Sequence, residues 1–220
     1  MSTREMFAAG GVVMWPLLIF SLLVFVLSIE RAVFWLRIRR RQRPVIKRVL
    51  LLYRDDPAEA IALLKKSLSF PIARIFLEAL EGDAASPNQF RLALEAAAHA
   101  EIPLLKRFSS VFQTVIAIAP LLGLLGTILG LIRSFAAVRI GDLGADASAV
   151  TGGISEALVS TAVGMVVAIF ALAAFNTFRS CYRRQLSLLQ EYSSNLELLY
   201  ERQHQLNSYS QREATYAATR

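Results

Sequence analysis

Three long apolar runs decide what this chain can fold into. The first covers Gly11 to Ile29 and continues past Glu30 and Arg31 to Leu36; the second covers Val111 to Val138; the third covers Ile154 to Phe178. Each exceeds the roughly 20 residues that a helix rising about 1.5 Å per residue needs to cross a hydrocarbon layer of about 30 Å. Inside lipid the backbone finds no water to bond, so such runs must close their hydrogen bonds internally as helices. The chain is therefore read as an all-α membrane protein with three transmembrane helices, and its 55 % content of hydrophobic residues agrees.

The first run is too long for a secretory signal and leads into "IERAVFWLRIRRR" without a small-residue cleavage pattern, so it reads as a retained anchor. The formal net charge of +7 invites a nucleic-acid reading, but the placement of the cations argues for membrane orientation instead. Arg37, Arg39, Arg40, Arg41, Arg43, Lys47 and Arg48 follow the first run, Lys106 and Arg107 precede the second, and Arg179, Arg183 and Arg184 follow the third. By the positive-inside rule these flanks are cytoplasmic, and the amino terminus and the 139–153 loop lie outside. The expected division is an outer amino terminus and first span over 1–36, a cytoplasmic helical insert over 37–110, a second span over 111–138, a periplasmic loop over 139–153, a third span over 154–178 and a cytoplasmic helix and tail over 179–220. Cys181, the single cysteine, falls on the reducing side and has no intrachain partner.

Within the insert, "DDPAEAIALLKK" offers Asp56 as N-cap, Pro57 at the first helical position and Glu59 to complete a capping box. A short helix is expected from there to about Ser69. Pro71 can open another, which Gly82 would end in the left-handed C-cap conformation. Ser86, Pro87 and Gln89 repeat the capping signature. No glycine separates that start from the second span, so one helix of about 50 residues, about 75 Å long and open to bending at Pro103, is expected to project into the cytoplasm. The third span extends likewise, with Leu186, Leu189, Leu196, Tyr200 and Leu206 at helical intervals, and the apolar stripe is lost from about Asn207, where fraying is expected.

At 100° per residue the second span collects Ala119, Gly123, Gly126, Gly130 and Ala137 on one face, bordered by Pro120, Thr127 and Ser134. Leu121, Leu122, Leu125, Leu129 and Ile132 cover the other. The third span places Glu156, Ala157, Ser160, Thr161, Gly164, Ala168 and Ala171 on one arc and Leu158, Val159, Met165, Val166, Ile169 and Phe170 opposite. Nothing hydrophobic drives helices together in lipid, so small residues mark close packing: Gly123, Gly126, Gly130 and Gly164 are the helix-packing candidates. The hydroxyls of Thr127, Ser160 and Thr161 share those faces with Glu156, a carboxylate near the outer boundary that Arg133 is placed to pair with. One reading is that the hydroxyls bond carbonyls one turn back; the other is that they hold a file of water beside a titratable group. "GLLGTILG" lacks the Lys-Ser/Thr ending of a phosphate loop, and no cofactor or metal is implied.

"APLLGLLGTILGLIRSF" (Ala119 to Phe135) and "GGISEALVSTAVGMVVAI" (Gly152 to Ile169) together resemble the two-helix signature of the MotA/TolQ/ExbB proton-channel family. Three spans, an outer amino terminus and a cytoplasmic insert after the first span resemble its ExbB/TolQ branch. The resemblance implies a pentameric ring in the bacterial inner membrane around a dimer of an ExbD/TolR-like single-helix protein, whose membrane aspartate carries protons. It also implies force delivered to a TonB-like transducer. By motif position Thr127 and Thr161 match lumen-lining threonines and Glu156 matches the family glutamate of the third span. Ser160 is added to the lumen on helical geometry.

The residues supply an independent check. A motor driven by protons needs an acid at mid-membrane, and no central carboxylate exists in the three spans. The acid is therefore expected from elsewhere, in agreement with an aspartate on a partner helix. Three helices are too few to enclose a lumen, so the small and polar faces imply an oligomeric ring. The expectation is a non-enzymatic subunit of a proton-driven motor, in which protonation frees the partner's acid from the threonines. The rivals are a TolQ-like role in envelope maintenance and a non-conducting scaffold for a single-helix partner. A solute permease is disfavoured, because no broken helix pair marks a midplane site.

Overall fold

The structure is a computed structural model that describes residues 11–82, 84, 86–137 and 146–218. Among the described residues the elements are all helical: α1 (Met14–Asp55), α2 (Pro57–Lys65), α3 (Pro71–Glu81), α4 (Pro87–Leu105), α5 (Ser109–Ala137) and α6 (Asp146–Ala218). They divide into two units, one of residues 1–32 and 108–179, the other of residues 33–107 and 180–220.

The first unit holds the apolar part of α1, α5 and the first part of α6. Its core is thin: Val13, Leu17, Val24, Phe112, Val115, Ala119, Val167, Ala168 and Ala171. Leu22, Phe25, Leu121, Leu125, Ile132, Leu158, Met165, Val166, Ile169 and Phe170 are exposed. That much bare apolar surface is unsuited to water and suited to lipid. The faces predicted to be greasy are thus the uncovered ones, except that Leu122 and Leu129 pack partly against the core and Val159 is half-buried. Three helical stretches are long and apolar enough to cross a membrane, within Met14–Asp55, Pro87–Ala136 and Thr151–Ser210.

The second unit is built like a water-soluble domain. Ile46, Val49 and Tyr53 of α1, nearly all of α3, Phe90 and Leu94 of α4, and Leu189, Tyr192 and Leu196 of α6 form one buried cluster. The Asp56 carboxylate accepts from the amides of Ala58 and Glu59 at 2.9 and 3.2 Å, as the capping signature predicts. The Ser86 hydroxyl accepts from the Gln89 amide at 3.4 Å. Arg74 clamps Glu101 through two hydrogen bonds of 2.6 Å while donating to the Leu68 carbonyl at 2.7 Å. The Glu101 hydrogen bond raises the Arg74 pKa further above its usual value, against an opposing effect of burial. Phe90 stacks on Tyr200 at 4.0 Å, and the Tyr200 hydroxyl donates to the Ala84 carbonyl at 2.7 Å. A buried amide pair, Gln185 Nε2 to Gln42 Oε1 at 3.1 Å, joins α6 to α1. Burial of the Tyr53 phenol, and then its repulsion from Tyr200, push its pKa up to about 12.

Helix α1 runs unbroken from the apolar run into the insert as far as Asp55, carrying Pro44 inside it. Four expectations are corrected. The insert's first helix ends at Lys65, because Lys66 caps it through Ala62 and Leu64. Gly82 closes α3 in an extended conformation, φ −71° and ψ 138°, rather than a left-handed one. The single helix expected from Pro87 through the second span is two, because Phe108 adopts φ +65° and the turn at Lys106 to Phe108 separates α4 from α5. Pro103 sits within α4 and is not the break. Finally, α6 begins inside the expected outer loop and continues past Asn207 to Ala218; residues 138–145 of that loop, and the first ten residues, lie outside the described residues.

Candidate functional site

The small-residue faces of α5 and α6 meet each other within the chain. A Cβ placed on Gly123 would lie 3.0 Å from the Ser160 carbonyl oxygen and the Thr161 Cα, and one on Gly164 would lie 2.6 Å from the Ala119 carbonyl oxygen. On Gly130 it would lie 2.6 Å from the Gly153 carbonyl oxygen, and on Gly126 it would strike the Ser160 side chain. Backbones this close leave no room for a side chain larger than hydrogen. Gly153, not singled out by sequence reasoning, completes the seam, its own Cβ position occupied by the Ser134 hydroxyl. Its only signal was the Gly-Gly pair ahead of the third span.

Hydroxyls bond across and along this seam. Thr161 Oγ1 donates to the Gly123 carbonyl at 3.1 Å, an interhelical bond rather than the local one anticipated for membrane threonines. Thr127 Oγ1 donates to the Leu124 carbonyl at 2.6 Å, the local pattern. Both side chains are half-buried and stand at the margin of the seam. Ser160 differs. Its hydroxyl donates to the Ala157 carbonyl at 2.9 Å, lies 3.4 Å from that of Gly123, and the residue is 0 % exposed. Geometry on a single helix put Ser160 at a lumen; the structure seals it between α5 and α6, because the glycine groove of α5 is filled by that very arc of α6.

Toward the C-terminal end of α5, Arg133 Nη1 donates to Glu156 Oε1 of α6 at 2.6 Å. The two side chains are unequally covered, 52 % exposed for Arg133 and 18 % for Glu156. What covers the carboxylate is the start of α1: Gly11 has φ +66°, and the position its Cβ would take is occupied by the Glu156 carboxyl group. Gly11 was not anticipated as part of the site. Its signal was a glycine pair just before the first span, readable as a turn but silent about its neighbour.

The chemistry available is therefore specific. Two half-exposed threonines stand on a tightly welded helix pair, and an ion pair is held toward the C-terminal end of α5. In α5 the one ionisable side chain is Arg133, and in α6 as far as Phe178 the ionisable side chains are Asp146 and Glu156. No acid in these segments stands at the level of the threonines.

Residues 67–191 match the model of the MotA/TolQ/ExbB proton channel family. The chain is 58 % identical over 197 residues to the ExbB-like 3 biopolymer transport protein of Synechocystis, covering 89 % of this chain and 94 % of that one. It is 41 % identical over 196 residues to the ExbB-like 1 protein of the same organism, covering 88 % and 77 %. A shorter stretch of 84 residues is 37 % identical to the Tol-Pal system protein TolQ of Haemophilus influenzae, covering 38 % and 36 %.

Proposed function

Because the chain belongs to the MotA/TolQ/ExbB proton channel family, we propose that it is the ring-forming subunit of a proton-driven motor in the inner membrane. In this reading a pentamer surrounds a dimer of an ExbD/TolR-like single-helix protein, and proton flow through the membrane acid of that partner exerts force on a TonB-type transducer. The basic flanks of the spans support a cytoplasmic position for the insert and the carboxyl terminus.

The observation that carries the proposal is the pair of half-exposed hydroxyls, Thr127 and Thr161, on a seam whose glycines and Ser160 are fully consumed. Packing engages the proton of each hydroxyl but leaves both residues half-exposed at the margin of the seam. A partner's acid has a use for them: it requires hydrogen bonds at a depth where water and charge are scarce. The seam supports a second point. A helix pair this tightly joined moves as a body, so the ring would hold its threonines at fixed spacing while the partner steps between them. Glu156, paired with Arg133 and covered by Gly11, would then set the local charge at the outer mouth rather than relay protons alone.

The test is proton flux through the complex reconstituted in vesicles with its partner. Thr127→Val and Thr161→Val should each reduce flux by about tenfold, an order of magnitude suited to losing one hydrogen bond of about 1.4 kcal/mol at the conducting step. Flux equal to that of the unaltered complex would leave only a scaffold. The 84-residue likeness to TolQ supports a second reading, in which the powered process is envelope maintenance. Identification of the transducer that co-purifies with the complex decides between them.

A further inference from the structure

The protons of both threonine hydroxyls are already committed. Thr127 Oγ1 lies 2.6 Å from the Leu124 carbonyl oxygen and Thr161 Oγ1 lies 3.1 Å from that of Gly123. A carbonyl oxygen has no hydrogen to give, so in each bond the hydroxyl is the donor, and what it has left to offer is lone pairs. For Thr161 the commitment is structural, because its acceptor belongs to the other helix and turning the proton away would release an interhelical bond.

We infer that Thr127 and Thr161 select the partner's membrane acid in its protonated, neutral form. This rests on the proposed function, in which such an acid meets these threonines. A carboxylic acid has one O–H to donate, and a threonine oxygen whose own hydrogen is engaged is a suitable acceptor. An ionised carboxylate needs donors, and these two residues hold theirs elsewhere. No bond is made or broken at this contact: the proton stays on the acid, which takes it up before docking and gives it up after leaving. The expectation drawn from sequence, that the ionised acid is held and protonation releases it, is thereby reversed.

The charged surroundings permit this preference. The helical stretch of α1 ahead of Glu30 has no ionisable residue, and Glu30 and Arg31 stand toward its inner end. Arg133 of α5 lies six residues, about 9 Å, beyond Thr127, and its charge is offset by Glu156 of α6 at 2.6 Å. A docked carboxylate therefore finds neither a donor from the threonines nor an unopposed cation beside them.

The sign of a pKa change tests the inference. Dicyclohexylcarbodiimide labels protonated carboxyl groups, so its labelling of the partner's membrane acid, followed against pH by mass spectrometry on the complex purified with its co-purifying single-helix partner, reports the midpoint of that acid. If the hydroxyls accept, Thr161→Val removes a stabiliser of the neutral form and the midpoint falls by about 0.5–1 pH unit, the equivalent of one net hydrogen bond. Thr161→Ser should keep the original midpoint. Should Thr161→Val fail to assemble, Thr127→Val gives the same readout, because its hydroxyl bond lies within one helix. A midpoint that rises would mean the hydroxyls donate to a carboxylate, and one that stays put would mean they do not touch the acid; either overturns the inference. Absence of any labelled partner acid in the unaltered complex would instead remove the proposed function, and this inference with it.

Discussion

The two units of this chain are held together by opposite means. In residues 33–107 and 180–220 large side chains do the work: Phe76 and Phe90 are fully buried, with Ile72, Ile75 and Leu64 around them. In residues 1–32 and 108–179 the closest contacts are made by residues with almost no side chain, Gly123, Gly130, Gly153 and Gly164, against carbonyl oxygens and one another. The solvent explains the difference. Water rewards the removal of each Å² of apolar surface by about 25 cal/mol, whereas lipid is as apolar as the side chains themselves. What remains in lipid is dispersion and hydrogen bonding, both of which need close approach, and close approach needs glycine.

The sharpest way to break this comparison is to remove equal bulk from each unit. Phe76 is 0 % exposed and Phe112 is 1 % exposed, so the two differ in surroundings far more than in burial. Phe76→Ala should cost about 3–5 kcal/mol, the usual penalty for emptying an aqueous core of a phenyl group. Phe112→Ala should cost clearly less, because its transfer term is small when the alternative environment is hydrocarbon. Chemical unfolding in lipid nanodiscs, with separate reporters in the two units, compares them. Equal costs would mean the first unit is also held by exclusion from water.

Adding bulk should invert the ranking. Gly164→Val would drive a side chain into the Ala119 carbonyl oxygen, whose position is 2.6 Å from the new Cβ. Because that obstacle is backbone and cannot rotate away, a loss of about 3 kcal/mol is expected, the upper end of ordinary overpacking. Gly152 has nothing within 4 Å of its would-be Cβ, so Gly152→Ala is the neutral control on the same helix. Crosslinking between cysteines introduced on α5 and α6 would report separation of the helices directly.

The same contrast explains which features could be read from the residues alone. Spans, N-caps and the pairing of Arg133 with Glu156 follow from local rules of length, hydrogen-bond chemistry and helical spacing, and each was legible. The break at Phe108 was not, because a left-handed phenylalanine costs about 1–2 kcal/mol and has no residue signature such as glycine or asparagine. The burial of Ser160 was hidden for another reason. Periodicity tells which residues share an arc but not what that arc faces, and a small-residue arc serves equally for a neighbour within the chain or for a shared lumen. Thr127 and Thr161, at the edge of the arc, were placed by motif and geometry alike, yet the direction of their protons depends on carbonyls that no sequence pattern locates.

A smaller effect belongs to the aqueous unit alone. Burial raises the Tyr53 pKa from 10.0 to about 12, so folding favours its neutral form. The stabilisation is complete below the unfolded value near pH 10 and is lost as pH climbs from there through about 12. Over that window the unaltered protein should lose about 1–3 kcal/mol more than Tyr53→Phe, which has no proton to release. Thermal unfolding of both at pH 8 and pH 11 isolates the effect, since the lysines titrating in the same range are common to the pair. Parallel alkaline limbs would show that the phenol is better hydrated than its burial suggests.

The smallest effect concerns a place in the first unit where a glycine lies against a charged side chain rather than against another backbone. Gly11 at φ +66° is strained for any other residue, and a side chain there would also displace the Glu156 carboxylate from beside Arg133. These two penalties can be separated, because only the second depends on residue 156. Gly11→Ala alone carries both, while Gly11→Ala combined with Glu156→Asp, whose carboxylate is withdrawn by one methylene, carries only the backbone strain of about 1 kcal/mol. A double-mutant cycle should therefore show a favourable coupling of about 1 kcal/mol between the substitutions. Additive losses would mean that Gly11 is not seated on Glu156. A measured coupling would tie the backbone at Gly11 to the Arg133–Glu156 pair, so that whatever protonates or displaces Glu156 is felt just ahead of α1 as well as by α5.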